Sequence, residues 1–486
     1  MIAGFNGMTP DGITLVWAIP LFSAPLIALM PDYRWSARAN VLASLLSFLG
    51  SLALFAQRGA VGDYLLVDDL NVVFVVLNTF VGFTTSVYSA GYIGHELETG
   101  RLTPLYLRFY HAMFQLMMFG MNLALLANNV GLMWAAIELA TVVTVMMVGL
   151  YRTPAALEAA WKYFILASVG IAFALFGTIL VYMAALPVVG EGPQGMIWSV
   201  LVAKASGFDP RLLNVAFVFL FLGYGTKVGL APLHAWLPDA HAEGPTPISA
   251  VLSGLLLNVA LYAILRFRMV MAVNTGVVET GPLMVTLGII SVLFASFMLY
   301  ARRDIKRLFA YSSLEHMGII VFAFGMGGAL ANFAGLLQMV MHSLTKSAIF
   351  YVVGLVAQAK GSQRISDIRG LSVDHPLLAF SLALGVVAIV GLPPFGVFMS
   401  EFLIVSSTFA RSPVLAMLLV VGLLVALGAL LMRLQGFIFG EPSPDHAPVR
   451  FAWLPVCSHL GLVLVAGVYL PPPLVDWFQH VAGMLG

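Results

Sequence analysis

The sequence predicts an all-α polytopic membrane protein of about fourteen transmembrane helices. It further predicts two inverted five-helix repeats with broken seventh and twelfth helices. Three observations carry this: the composition, fourteen hydrophobic segments, and a pair of Gly/Pro interruptions five segments apart. Of 486 residues, 61% are hydrophobic and 9% charged, whereas soluble domains carry roughly 25% charged residues. The net charge of +1 and the lack of any Lys/Arg run exclude a basic surface for nucleic acid. A single cysteine, Cys457, can form no internal disulfide and cannot supply the thiolates of an iron–sulfur cluster. No CxxCH is present, and no cofactor is expected. The N-terminus lacks a basic region followed by a small-residue cleavage site, so no cleaved signal peptide is expected.

Charged and Pro/Gly-rich breaks define the segments in order. Segments 13–30, 39–56 and 71–91 end at PDYR, QRG and HELETGR. Segments 109–127 and 130–150 are divided by Asn128-Asn129, and 160–183 runs on to LPVVGEGPQG. Segment 212–237 is interrupted from Gly229 to Pro232, and 248–271 follows GPTP. Segments 282–300 and 306–325 flank ARRDIK, and 329–356 precedes QAKGSQRISDIRG. Segment 377–395 continues past Pro393-Pro394 as a second half-helix through Phe409; 413–437 and 451–470 complete the set.

An even count puts both termini on one side. The positive-inside rule then selects the side. Fifteen Lys/Arg fall on alternate connections: Arg34, Arg38, Arg101, Arg108, Arg152, Lys162, Arg302, Arg303, Lys306, Arg307, Lys360, Arg364, Arg369, Arg433 and Arg450. Six fall on the opposite set: Arg58, Lys204, Arg211, Arg266, Arg268 and Arg411. Both termini are therefore expected outside the cytoplasmic (inner) membrane, with ARRDIKR and AKGSQRISDIRG in the cytoplasm. Paired interrupted segments at an odd offset mark inverted repeats around a midplane site. The expected organisation is 1–108 (helices 1–3), 109–271 (first repeat, helices 4–8), 282–437 (second repeat, helices 9–13) and 438–486 (helix 14).

The chemistry sits in charges where charges are costly. Lys227 lies in AFVFLFLGYGTKVGLAPLHAWLP; an ammonium at mid-membrane costs about 2.5–3.5 kcal/mol on insertion scales and by default marks an ion or proton pathway. The alternative is an anchor lysine snorkelling to the interface. Glu138, mid-span in GLMWAAIELATVV, must be protonated, hydrated or paired on another helix. Lys227 is the candidate partner, and Thr141 or Thr144 the structural alternative. His342 and Lys346, spaced i,i+4, share one helix face and can meet one water file. Glu315 and His316 follow RRDIKRLFAYSS, with a solvated rim as the alternative for Glu315; Glu401 follows the second break and could end the relay or be an interfacial acid. His234, Asp239, His241 and Glu243 are irregularly spaced and match no structural zinc pattern, so no metal site is expected.

The stretches IELATVVTVM, GTKVGLAPLHAWLPDAHAEGPTPISA, RRDIKRLFAYSSLEHMG, HSLTKSAIF and GLPPFGVFMSEF resemble the antiporter-like, proton-pumping membrane subunits of respiratory complex I and the group-4 membrane-bound hydrogenases. SSLEHMG and SGLLLNVALYAILRF are most similar to the F subunit of hydrogenase-4 and formate-hydrogenlyase-type complexes. The resemblance implies a coupled Glu138–Lys227 pair, central relay groups His316, His342 and Lys346, and Glu401 as the far exchange residue; His234, Asn258 and Glu315 are expected as accessory groups. It also implies other membrane and peripheral subunits as partners. Asn258 departs from the lysine or histidine that many relatives carry on the eighth helix. An amide can hold a water chain but cannot carry a proton as a charged site.

Three functions follow in order: a proton-pumping subunit whose electron carriers lie on other chains, a Na⁺/H⁺ antiporter subunit, and a passive scaffold. Separating Glu138 from Lys227 from ~5 to ~10 Å at an effective dielectric of ~20 would cost roughly 1.7 kcal/mol. Moving a charge against ~180 mV costs about 4 kcal/mol, so a pair that loose would need help from changing hydration.

Overall fold

The computed structural model describes residues 11–441, 449 and 452–486, and of 104–108 the backbone alone. Arg450, the side chain of Arg108 and the expected start of the last span at 451 lie outside the described residues. Those residues are overwhelmingly helical, with only isolated bridges such as Leu65–Ala127 between extended segments.

Short polar residues start most of the long helices by accepting the orphan N–H groups of the first turn. Asp11 caps α1 (Gly12–Leu29) and Asp32 caps α2 (Tyr33–Leu52). Asp68 and Asn71 form a reciprocal box at α3 (Asp69–Glu98). After α4 (Pro104–Leu126), Asn129 caps α5 (Val130–Val148) and Thr153 caps α6 (Pro154–Val189). A short α7 (Trp198–Lys204), absent from the sequence reading, precedes α8 (Pro210–Val228).

At Gly229 the chain turns left-handed at φ 82°, and the span resumes as α9 (Leu237–Glu243). The expected interruption is thus a break at which backbone groups need new partners. Trp236 Nε1 donates to Thr226 O at 2.8 Å, and Ala231 N donates to Ser291 Oγ at 2.9 Å. The next span runs as α10 (Thr246–Val251), a π-helical turn at Leu252–Leu256 and α11 (Leu257–Val273).

Then follow α12 (Gly281–Tyr300), α13 (Ile305–Met326, capped by Asp304) and the 32-residue α14 (Ala329–Lys360). Beyond the short α15 (Leu371–Asp374), the second interrupted segment is α16 (Pro376–Ile389) and α17 (Gly396–Phe409). Each has 14 residues, a rise of ~21 Å, which falls short of the ~30 Å apolar core. The chain closes with α18 (Pro413–Ile438), α19 (Trp453–Val468) and α20 (Pro472–Met484). The last is bent 85° from α19 and was not expected from sequence. Its Trp477 Nε1 donates to Asp69 O at 2.9 Å, and Arg58 stacks on the Trp477 ring at 4.4 Å.

Twelve helices are long and apolar enough to cross a membrane, thirteen if α19–α20 is one span, among the described residues. The chain is a multi-pass membrane protein. Helices α10–α11, α13 and α14 are almost wholly buried, whereas α1, α6, α12 and α18 turn Leu, Val and Phe outward. The helices that carry the candidate site therefore form the centre. Small residues let neighbours approach: a Cβ on Gly223 of α8 would stand 2.5 Å from Ala174 N of α6.

Candidate functional site

Lys227 sits in the last turn of α8, one residue before the break, and its side chain is 1% exposed. Burial there forces its ammonium to find partners on another helix. Its Nζ donates to Glu138 Oε2 at 3.3 Å and to Thr141 Oγ1 at 2.7 Å. Glu138 and Thr141 lie i,i+3 on α5 and so face Lys227 together. Glu138 remains 22% exposed and forms the outer member of the pair. Snorkelling is overturned for Lys227, because the side chain turns inward to α5. The carboxylate and the hydroxyl, weighed as alternatives in the sequence, both bind it.

The second cluster occupies the α13–α14–α17 interface. His316 Nδ1 lies 2.9 Å from Gln338 Nε2 and 3.6 Å from Glu401 Oε1; Gln338 Nε2 also reaches Glu401 Oε1 at 3.5 Å, and Ser400 Oγ donates to Gln338 Oε1. The rings of His316 and His342 are 5.7 Å apart, and both His342 nitrogens are buried without a protein partner among the described residues. Lys346 is fully buried, donates to Phe309 O at 3.2 Å and lies over the Phe309 ring. Glu315 is buried with Oε2 unpartnered, so the solvated-rim alternative fails. A cavity with room for about one water lies between Glu315 and Glu401. Gly391, at φ 68°, closes against Glu401 where a Cβ would overlap the carboxylate. That carboxylate is 7% exposed, which removes the interfacial reading.

The helix α10–α11 stands between the two clusters, packed on α8 and α14. Asn258 is on it, donating to Met339 O at 3.1 Å and Ser343 Oγ at 2.7 Å, with Oδ1 unpartnered. His234 is partly buried against Phe294, at 4.7 Å between rings, and stands apart from both clusters' hydrogen bonds. The four residues weighed for a metal do not converge. Asp239 pairs with Lys162 and Arg307, Glu243 with Arg307, and His241 stacks on Phe350.

Several buried polar groups were not singled out from sequence. Lys306, read as a loop cation, is buried and donates to Ala242 O and Gly244 O at 2.9 and 2.6 Å. Arg266, also read as a loop cation, is buried in α11 and paired with Asp68 at 2.5 Å. Gln338 and Ser400 carried no signal, being neutral polar residues in apolar runs. His459 of α19 bonds Thr84 at 2.8 Å and Leu344 O at 3.0 Å.

Residues 127–426 match the family described as NADH:quinone oxidoreductase/Mrp antiporter, transmembrane. The chain belongs to this family. The matched region holds the Glu138–Lys227 pair and the whole second cluster. Among relatives of this family member, the hydrogenase-4 component F homolog of Methylacidiphilum infernorum (isolate V4) is 59% identical over 466 residues, 96% of this chain and 98% of the relative. NADH-quinone oxidoreductase subunit N of Desulforudis audaxviator (strain MP104C) is 28% identical, covering 95% of each. Among solved structures, a chain of the archaeal membrane-bound sulfane sulfur reductase superposes with a TM-score of 0.86 at 23% identity, covering 97% of each chain. A chain of the Mrp complex from Dietzia sp. DQ12-45-1b does so at 0.85 and 18%, covering 99% of this chain and 98% of that one. These structural likenesses show that the antiporter-like subunit fold is shared.

Proposed function

We propose that the chain translocates protons as a membrane subunit of a redox-driven complex of the hydrogenase-4 or NADH:quinone oxidoreductase type, with electron transfer on partner subunits. The observation that carries this reading is the buried Lys227 ammonium, held by a carboxylate and a hydroxyl from another helix at the end of a broken span. Glu138 and Lys227 form the exchange pair; His316, His342 and Lys346 the central relay; Glu401 the far exchange group. Opening the pair from the observed 3.3 Å to ~10 Å costs roughly 3 kcal/mol at an effective dielectric of ~20. That approaches the ~4 kcal/mol of one charge moved against ~180 mV. Opening the pair from this distance is a larger lever than the roughly 1.7 kcal/mol of a ~5 Å start.

In this reading α16 and α17 complete one span and α19–α20 another, giving fourteen. The organisation is 1–108, two inverted repeats at 109–271 and 282–437, and 438–486. Both termini face outward from the inner membrane. Sodium/proton exchange is the competing reading, because the family includes Mrp antiporters. Histidine and lysine exchange protons, whereas sodium calls for several oxygen ligands, and the central cluster is richer in ring and ammonium nitrogens than in carboxylates. The test is driven acidification of vesicles carrying the native complex in sodium-free medium. Persistence without sodium and collapse with a protonophore is expected; strict sodium dependence would replace the proton by sodium.

A further inference from the structure

We infer that protons have a second entrance, a file of hydroxyls along the α3–α14 interface from Glu96 to Asn258; this rests on the proton reading above and extends it to residues outside the two clusters. The file begins at a buried acid. The Glu96 carboxylate is fully enclosed, yet exposed Arg101 reaches it at 3.5 Å and half-buried His95 at 3.9 Å. It accepts from Gln358 Nε2 at 2.9 Å and from the Tyr151 hydroxyl at 3.1 Å. Such a carboxylate is placed to take protons from the side that bears Arg34, Arg38 and Arg101.

Beyond Glu96 the hydroxyls follow one another inward. Tyr92 OH lies 3.1 Å from Thr246 Oγ1 at the start of α10. Tyr88 comes next, one turn along α3, and Gly354 leaves the space that the Tyr88 hydroxyl occupies next to the Thr246 methyl. The Tyr88 ring packs 4.7 Å from the Tyr351 ring. Tyr351 OH is held 2.6 Å from Thr85 Oγ1 and adjoins Ser347. At the crossing with α10–α11 the π-helical turn breaks the regular backbone ladder. There Gly254 O accepts from Ser343 Oγ at 2.5 Å, and Ser343 Oγ accepts from Asn258 Nδ2 at 2.7 Å. Ser343 faces α10–α11, one residue from His342 on α14, whose ring nitrogens have no protein partner among the described residues, so water carries the last step from the file to the relay.

Water must bridge the file where its hydroxyls do not meet: Ser347 Oγ donates to Ala250 O rather than to Ser343, and among the described residues Tyr88 OH and Asn258 Oδ1 are buried polar atoms without a protein partner, the kind of group that ordinarily holds an ordered water. Tyr88, Tyr92, His95 and Gln358 also line a cleft of 1110 Å³ that extends to Arg34 and Arg38 at the surface. Water from that cleft meets the file at its tyrosines. In transfer, each hydroxyl accepts a proton on a lone pair as it releases its own to the next oxygen. One proton enters at Glu96, one leaves the Ser343 hydroxyl through water to a ring nitrogen of His342, and no hydroxyl remains ionised.

Tyr88→Phe is the decisive variant. Its hydroxyl has no protein hydrogen bond to lose among the described residues, so a purely structural tyrosine would tolerate phenylalanine. The file predicts about tenfold slower proton translocation by the assembled complex, equivalent to roughly 1.4 kcal/mol on the barrier, with a displaced pH profile. Tyr351→Phe, which keeps the ring and removes the Thr85 contact, is the second variant and should act alike. Water entry is read separately in a Cys457→Ser background with Gly91→Cys, since Gly91 lines the cleft with open space for a side chain. An impermeant thiol reagent should label it from the Arg34 side alone. Protection would mean that a lipid or neighbouring subunit fills the cleft, and overturns the entrance. Parental rates and pH profiles in both phenylalanine variants also overturn it. Lys227→Ala is run beside them: its loss of translocation leaves the main site standing when the file fails, whereas its normal translocation fails the proton reading itself.

Discussion

Lys227, Lys346 and Lys306, three of the four buried lysines among the described residues, differ in their partners. Lys227 meets a carboxylate and a hydroxyl, groups that exchange protons. Lys346 has one carbonyl and an aromatic face, with His342 one helical turn away. Lys306 is fixed by two backbone carbonyls at the end of α9, of which Ala242 O is also within reach of the Gln363 amide. Lys306→Met should therefore destabilise the subunit by about 1–3 kcal/mol, chiefly through Gly244 O left unsatisfied. The midpoint of thermal unfolding in detergent checks this; an unchanged midpoint would assign that carbonyl to water. Gln338 bridges His316, Ser400 and Glu401. Gln338→Leu should slow translocation about tenfold, the equivalent of roughly 1.4 kcal/mol, with assembly retained. Parental rates in that variant would remove Glu401 from the relay. Lys227 and Glu138 were legible in the sequence because a charge in a long apolar run has few innocent explanations. Lys306 was not, since RRDIKR has the composition of a loop, and only the tertiary fold folds it back beneath α9.

At the scale of elements, the two breaks do the positioning. Gly229 ends α8 directly after Val228, two residues beyond Lys227, and its left-handed backbone turns the chain toward α9. Gly229→Ala forces a Cβ into that conformation, 3.1 Å from Leu237 Cδ2, at a cost of roughly 1–2 kcal/mol. The expected outcome is a lower unfolding midpoint together with slower translocation. A midpoint and rate equal to the parent would show that the break does not hold Lys227 in place. The breaks could be read from the chain because Gly and Pro interrupt a helix for local, steric reasons. Helix α20 could not: thirteen residues of mixed polarity look like a tail, and what orders it is tertiary, the Trp477 contact to α3 and the Arg58 stack. The π turn at Leu252–Leu256 was less legible: its one breaker, Gly254, sits in an otherwise apolar run, and only the fold shows how closely it packs on Ser343 and Ser347 of α14.

At the scale of the whole molecule, exposed apolar side chains on the outer helices must meet lipid or partner subunits, while the polar groups converge on α10–α11, α13 and α14. The broad class was legible in composition alone. The union of Gln338, Ser400 and Glu401 into one cluster was not, because it depends on how α17 returns to α14. Isolation of the native complex should bring down other membrane and peripheral subunits in fixed ratio; a lone, fully active chain would favour a stand-alone exchanger. The central claim is that the proton passes through the Glu138–Lys227 pair. The measurement that tests it most directly is driven proton uptake by vesicles bearing the assembled complex with Lys227→Ala or Glu138→Gln. The account predicts that both variants assemble and lose most or all translocation; assembled complexes of both that pump at the parental rate would contradict it.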